Sequence, residues 1–175
     1  MTKPIIEGIP RPLEKIPDSI PPNSYFTGKT ILENIFIASK EDPKNALKMW
    51  ENWVKWYFDY QPLAITPDQI TELQNSGLAQ IIGTDRQGRA SVVIKSSRIN
   101  IKTIKLEIAM KYACNTFERA LKISAENGQS QIIVIYDRKD FSIGITQIPT
   151  LTGLANDIAK LIQSNYPERM YKSYV

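Results

Sequence analysis

The run from Ile132 to Tyr136 constrains the fold more than any other part of this 175-residue chain. Its β-branched residues follow one another without polar alternation, which is typical of a strand buried on both faces of a parallel sheet. A helical pattern over residues 103–127 leads into it, with Gly128 as the stop, and a second helical pattern over residues 149–164 follows it. Because parallel strands need a crossover between them, this order predicts an α/β fold whose sheet is covered by helices.

A hairpin and a last strand extend the predicted sheet. Leu78 to Ile82 and Ala90 to Ile94 are apolar runs joined by a polar loop, in which Gly88 supplies the positive φ that such a turn commonly needs. The run from Tyr171 to Val175 predicts a second central strand. The sheet should therefore combine a hairpin with parallel strands.

The part of the chain before the sheet is predicted to be helical after a proline-rich start. Residues 1–24 contain six of the eleven prolines and predict an extended arm. Apolar spacing predicts helices over residues 30–39 and 66–73, and between them a helix that Asp42 caps, with Trp50 and Trp53 on its buried stripe. We therefore divide the chain into an arm over 1–24, a helical lobe over 25–75 and a sheet domain over 76–175.

Composition excludes several classes of function. The net charge of +4 is too weak and too scattered for nucleic acid, although it suits an anionic membrane surface. The chain has no histidine, so His-dependent triads and HExxH-type zinc sites cannot be built from it. The single cysteine, Cys114, falls on a helical apolar stripe and is predicted to be a buried, inert thiol. No apolar run approaches the ~20 residues that a membrane span needs. We therefore expect a cytosolic protein, and we expect it to hold no metal or cofactor.

Four stretches carry a resemblance to a known family: "DPKNALKMWENWVKWYF", "DRQGRASVVIKSSRINI", "FERALKISAENGQSQIIVIYDRKDFSI" and "NYPERMYKSYV". In this order they resemble the helical lobe, the hairpin, the long helix with its central strand and loop, and the "YPER" turn with the next strand of CRAL-TRIO (Sec14-like) lipid-binding domains. The resemblance implies an N-terminal helical lobe followed by a βαβ sheet, with a lipid cavity between the sheet floor and covering helices. Members of the family continue beyond this strand, so the resemblance also implies a lipid-binding domain that is incomplete at its C-terminal side.

The resemblance assigns three residues to a lipid head group. In phosphatidylinositol-binding members the Glu-Arg of the turn and an Arg-Lys pair lie near the inositol phosphate, which implies this role for Glu168, Arg169 and Lys40. Ser39 stands where those members have the arginine, and serine cannot reproduce a bidentate phosphate contact. Glu168 and Arg169 equally suit a structural pair that fixes the turn before the strand, and both interpretations stay open.

Four aliphatic residues occupy positions that hold choline phosphate in other members of the family. Ile81 and Val92 replace two tyrosines, and Ile132 and Val134 replace two hydroxyl residues. Aliphatic side chains cannot compensate the lost hydration of a buried phosphate. The resemblance therefore favours a drier pocket, suited to an uncharged tail, a sterol, or a retinoid- or tocopherol-like ligand.

We predict a non-catalytic cytoplasmic protein, peripheral at membranes, that binds and transfers or presents a hydrophobic lipid such as a phosphoinositide or one of these uncharged ligands. Its expected partners are the lipid ligand and, transiently, an anionic membrane surface, and an exposed strand over residues 171–175 would favour a homo-oligomer. The alternative is a protein-interaction or signalling module with the same fold and no functional cavity. An enzyme using Asp137, at the end of the central strand, is disfavoured because the sequence offers no partner acid, phosphate loop or metal cluster.

Overall fold

The computed structural model describes residues 28–175, so the arm predicted over residues 1–24 lies outside the described part of the chain. The helical lobe begins with α1, Gly28–Ala38, and α2, Pro43–Tyr60. Asp42 caps α2 as predicted, because its Oδ1 accepts hydrogen bonds from the backbone N–H groups of Lys44 at 2.9 Å and Asn45 at 3.3 Å. Trp50 and Trp53 lie on the buried face of α2, which confirms the predicted stripe.

The third predicted helix, over residues 66–73, is divided in the structure. A 3₁₀ turn, Pro67–Gln69, comes first, and α3, Thr71–Ser76, follows. Ile70 separates them because its φ of −130° and ψ of 9° lie outside the helical region. The break places the Ile70 side chain in the core, where it is 2% exposed.

Four strands of the described chain form a sheet in the order β1-β2-β3-β4. Their bounds are β1 Ala79–Thr84, β2 Ala90–Lys95, β3 Ile132–Asp137 and β4 Met170–Tyr174. β1 and β2 are the antiparallel hairpin, whereas β2, β3 and β4 run parallel. Helix α4, Leu106–Glu126, connects β2 to β3, and helix α5, Ile148–Asn165, connects β3 to β4. The predicted α/β fold is confirmed, with α4 packed on the sheet and against α5.

The turn of the hairpin packs against the end of α4. Gly88 has a φ of 92°, as predicted, and the Asp85 carboxylate accepts hydrogen bonds from the backbone N–H groups of Gln87 and Arg89 at 2.9 Å each. A Cβ atom built on Gly88 would lie 2.7 Å from the Cβ of Asn127. Glycine is therefore required here both by the backbone conformation and by the close approach of α4.

The last two strands depart from their predicted environment. The sequence predicts a second central strand over residues 171–175, but β4 pairs only with β3 within the described chain and all five of its residues are exposed. The strand is therefore a sheet edge, since nothing in the described chain pairs with its far side. β3 is buried on both faces over Ile132 to Val134 only, and Tyr136 is 38% exposed.

The hydrophobic core is continuous between the helical lobe and the sheet. Trp50, Trp53 and Tyr57 of α2 belong to the same cluster of buried residues as Leu161 of α5 and Tyr166 after it. The indole Nε1 of Trp53 donates a hydrogen bond to the backbone oxygen of Asn165 at 3.0 Å. The two parts of the chain are therefore packed together by both apolar and polar contacts.

Candidate functional site

A cavity of about 330 Å³ lies between one face of the sheet and the two crossover helices. Five lining residues come from α4 and seven from α5, while the strands and neighbouring loops supply the remainder. From α4 and α5 these are Ala109, Tyr112, Ala113, Thr116, Phe117, Leu151, Leu154, Ala155, Ile158, Ala159, Ile162 and Gln163, and the sheet contributes Ala79, Val92, Ile94, Tyr136 and Met170.

Small side chains on the two helices leave this space open. Ala109 and Ala113 of α4 and Ala155 and Ala159 of α5 all line the cavity, and each contributes only a methyl group. Their positions are four residues apart in each helix, so each pair lies on one helical face. Larger residues at these positions would fill the space between α4 and α5.

The polar atoms of the cavity wall are few, and the best defined of them is already hydrogen-bonded. The Tyr112 hydroxyl donates to the backbone oxygen of Ala79 at 3.0 Å and accepts from the N–H of the same residue at 3.1 Å. Thr116, Tyr136 and Gln163 supply the other polar side chains, and burial raises the pKa of the Tyr136 hydroxyl. In the described chain no charged side chain lines the cavity, so its chemistry suits an uncharged, largely apolar molecule.

The structure brings the predicted aliphatic residues onto one region of the sheet. Ile81 pairs with Val92 across the hairpin, and Val92 pairs with Val134 on the neighbouring parallel strand. Val92 lines the cavity, whereas Val134 and Ile132 are buried beside it on the face that also carries Tyr136. Ile81 is half-buried and packs against the core. This row is entirely aliphatic, as the sequence indicates.

The predicted head-group residues lie in different environments. Lys40 is exposed in the turn between α1 and α2, with a φ of 58°, and Ser39 beside it is buried with its hydroxyl donating to the backbone oxygen of Phe36 at 2.8 Å. Glu168 is exposed with a φ of 56°, and its backbone oxygen accepts a hydrogen bond from the Gln131 side chain at 3.0 Å. Among the described ion pairs none joins Lys40 to Glu168.

Arg169, the third of these residues, is 3% exposed and faces the core. Its guanidinium donates a hydrogen bond to the backbone oxygen of Ser130 at 3.1 Å, and its own backbone oxygen accepts from the Ile132 N–H at 2.9 Å. Burial lowers the pKa of Arg169 to about 10, and the charge of Glu118 opposes that change. These contacts tie the turn to the start of β3.

Two residues that the sequence reasoning missed complete the surroundings of Arg169. The Tyr166 hydroxyl donates a hydrogen bond to Glu118 Oε1 at 2.8 Å. Burial raises the pKa of Glu118 to about 7, while the Tyr166 hydrogen bond and the charge of Arg169 lower it. A signal for Glu118 was present, because it lies four residues after Cys114 and three before Leu121, on the buried stripe of α4. Cys114 itself is fully buried, as predicted, and burial raises its pKa to about 11.

The described residues contain no cluster of His, Cys, Asp and Glu that could hold a metal ion. None of the helices in this described part is long and apolar enough to cross a membrane.

Comparison with known proteins supplies a family for this architecture. The CRAL/TRIO domain family matches residues 74–175, which is more than half of the chain. The fold is also similar to that in a crystal structure of Sfh5, with a TM-score of 0.67 and 15% sequence identity. The match covers 82% of this chain and 52% of the Sfh5 chain, so this chain spans about half the length of that protein.

Proposed function

Because this chain belongs to the CRAL/TRIO domain family, whose Sec14-like members bind and transfer lipids, we propose that it binds a hydrophobic lipid between its sheet and helices α4 and α5. It would transfer or present that lipid at membranes without covalent chemistry, as a cytoplasmic protein that contacts membranes peripherally. The division into an arm over 1–24, a helical lobe over 25–75 and a lipid-binding domain over 76–175 is part of the same proposal.

The cavity is the observation that carries this proposal. Its wall is almost wholly apolar and lacks charged side chains in the described chain, so it would remove an acyl or isoprenoid chain from water. Each CH₂ group transferred from water into such a wall is stabilised by roughly 0.8 kcal/mol. A volume of about 330 Å³ lies near the lower end of the roughly 300–1,000 Å³ typical of small-molecule pockets, which suits one chain or a compact ring system.

The head group is the less determined part of the ligand. The aliphatic row of Ile81, Val92 and Val134, with Ile132 beside it, offers no partner for a buried phosphate. Lys40 and Glu168 are exposed, so an inositol head group would be bound at the surface, with its phosphate on Lys40 and its hydroxyl groups donating to Glu168. A sterol, retinoid or tocopherol-like molecule would need no such contact.

Mass spectrometry of solvent extracts from the purified protein tests the proposal. We expect a stoichiometric hydrophobic molecule from the wild type. Ala113→Phe should lose it, because Ala113 lines the cavity and the phenyl ring would fill the space. Ala125→Phe is the matched control, since Ala125 is also half-buried on α4 but does not line the cavity.

The alternative function, an interaction module without a working cavity, makes the opposite prediction for the same samples. In that case no molecule would be recovered from the wild type, and a purified protein incubated with fluorescent fatty acids or sterols would not bind them either. Equal ligand recovery from Ala113→Phe and Ala125→Phe would place the ligand elsewhere on the protein.

A further inference from the structure

The segment between β3 and α5 exposes two large aliphatic residues at one place. Ile145 is 85% exposed and Ile148, at the first position of α5, is 47% exposed. Ile145 is the most exposed of the large hydrophobic residues in the described chain. We call this pair the apolar tip. Neither residue lines the cavity, so ligand binding does not account for them.

Basic residues are concentrated in the segment that contains the apolar tip and in the segment that follows the neighbouring strand. Lys95 at the end of β2 pairs in register with Asp137 at the end of β3. The segments that follow these two strands therefore leave the sheet together, at the edge formed by the carboxyl ends of the parallel strands. The first segment, residues 95–105, contains four basic and no acidic residues, and the second, residues 137–149, contains two of each. The six basic residues are Lys95, Arg98, Lys102, Lys105, Arg138 and Lys139, and we call them the basic ring.

The charge of this edge equals that of the whole molecule. The two segments together carry a formal charge of +4, from six basic and two acidic residues, and the complete chain also carries +4. The remaining residues therefore sum to zero. Such an asymmetry orients a protein toward an anionic surface.

This edge is also one end of the lipid cavity. Ile99 and Ile104, which belong to the first segment, line the cavity, and so do Tyr136 near the end of β3 and Leu151 in the first turns of α5. The apolar tip is therefore adjacent in the chain to residues that form the cavity wall.

We propose that the apolar tip inserts into the interface of an anionic lipid bilayer while the basic ring contacts the head groups, which directs this end of the cavity toward the membrane. The inference rests on the proposed function, because it names the surface through which the ligand would be exchanged. A bilayer fits better than a second copy of this chain, since pairing two copies would bring two surfaces of charge +4 together. Aliphatic side chains flanked by lysine and arginine are typical of segments that bind membrane interfaces.

Co-sedimentation with lipid vesicles tests the apolar tip. Ile145→Ser combined with Ile148→Ser should lower the partition of the protein onto phosphatidylcholine–phosphatidylserine vesicles by about tenfold or more, since two buried aliphatic side chains are lost. Ile82→Ser is the matched control, because Ile82 is 61% exposed but lies within β1, outside the two segments that follow β2 and β3. Equal loss in both variants, or no loss in either, would overturn the proposal.

A second pair of variants tests the basic ring. Arg138→Gln with Lys139→Gln should weaken binding to the anionic vesicles by roughly fivefold for each charge that lies near the membrane surface. The wild type should bind vesicles of phosphatidylcholine alone much more weakly than the anionic vesicles. Its binding to the anionic vesicles should be lost at high salt, because salt screens the charges. Lys48→Gln with Lys55→Gln removes two exposed charges from α2 and should leave binding unchanged. Equal binding to neutral and anionic vesicles would contradict the role of the ring.

Measuring the extracted lipid in the same proteins separates this inference from the proposed function. Serine variants that keep their lipid but lose vesicle binding support both. A wild type that contains lipid but binds no vesicles overturns the docking surface alone. A wild type that binds anionic vesicles through the tip but yields no lipid overturns the proposed function and leaves the surface intact.

Discussion

The carboxyl group of Glu118 shows how burial changes the behaviour of a single residue in this protein. Glu118 is 5% exposed, and burial raises its pKa from 4.5 to about 7 despite the opposing effects of Tyr166 and Arg169. The unfolded chain therefore loses this proton at a lower pH than the folded chain does. Between the two pKa values the folded state binds more protons, so this group makes the free energy of unfolding fall as pH rises.

Glu118→Gln separates this effect from all other titrations, since glutamine keeps the size of the side chain and carries no ionisable proton. We expect the stability of the wild type relative to this variant to fall by up to about 3 kcal/mol between about pH 5 and pH 8. Urea unfolding of both proteins at several pH values measures the difference. If the difference stays constant over this range, the Glu118 pKa is not raised.

Gly88 is a second residue whose role follows from local geometry. Gly88→Ala should destabilise the protein by about 1–3 kcal/mol, because its φ of 92° disfavours a side chain and the new Cβ would lie 2.7 Å from the Cβ of Asn127. Thermal or urea unfolding monitored by circular dichroism measures the change.

Two other glycines serve as graded controls for this substitution. Gly128 has a strained φ of 72°, but no atom lies within 4 Å of a Cβ added there. We therefore expect Gly128→Ala to lower the free energy of unfolding by only about 1 kcal/mol. Gly153→Ala lies within α5, also with open space around it, and should be neutral or stabilising by up to about 1 kcal/mol. An equal effect at Gly88 and Gly128 would show that the contact with Asn127 is unimportant.

At the scale of the elements, the sequence predicts features that depend on neighbouring residues and misses those that depend on distant ones. The cap at Asp42 and the positive φ at Gly88 are local properties of a turn, and both are found where predicted. The break at Ile70 is not local, because it depends on where the core lies relative to α3. The aliphatic row of Ile81 and its neighbours follows from strand register, which the hairpin fixes.

The cavity and the buried polar group show the same limit more clearly. Alanine in α4 and α5 indicates only good helix formation until it is known that Ala109 and Ala155 line the same space. The position of Glu118 on the buried stripe of α4 is visible in the sequence, but its partner Tyr166 is not, because it is 48 residues away in the chain. Both features arise when crossover helices pack together, which a single sequence specifies only indirectly.

Strand β4 leads to a prediction about association. Its five residues are exposed and its far side is unpaired within the described chain, so we expect this protein to associate through that edge as its concentration rises. Tyr174→Lys places a charge on the edge and should weaken association by about tenfold or more, because like charges meet when two edges pair. Light scattering over a range of concentrations measures the effect.

A matched control for this experiment lies outside the sheet. Ile37→Lys makes the same kind of change at a residue of α1 that is 43% exposed, close to the 49% of Tyr174. Association should be unchanged in this variant. A wild type that remains monomeric at every concentration would contradict the prediction, and equal weakening in both variants would indicate a general effect of charge.

At the scale of the whole molecule, the continuity of the core determines how the helical lobe and the sheet domain unfold. The residues of α2 share one buried cluster with those of α4, α5 and the sheet, and Trp53 is hydrogen-bonded to the backbone of Asn165. We therefore expect the two parts to unfold in one cooperative transition rather than as separate domains.

The three tryptophans allow a direct test, because all of them lie in α2 and their fluorescence reports on this helix and on its contact with the end of α5. Far-UV circular dichroism instead includes the sheet and the crossover helices α4 and α5. The urea midpoints from the two signals should coincide in the wild type. They should also move together in Gly88→Ala, since a contact in the hairpin weakens α2 only if the core couples them. A shift of the dichroism midpoint without the fluorescence midpoint would show that the helical lobe is an independent folding unit.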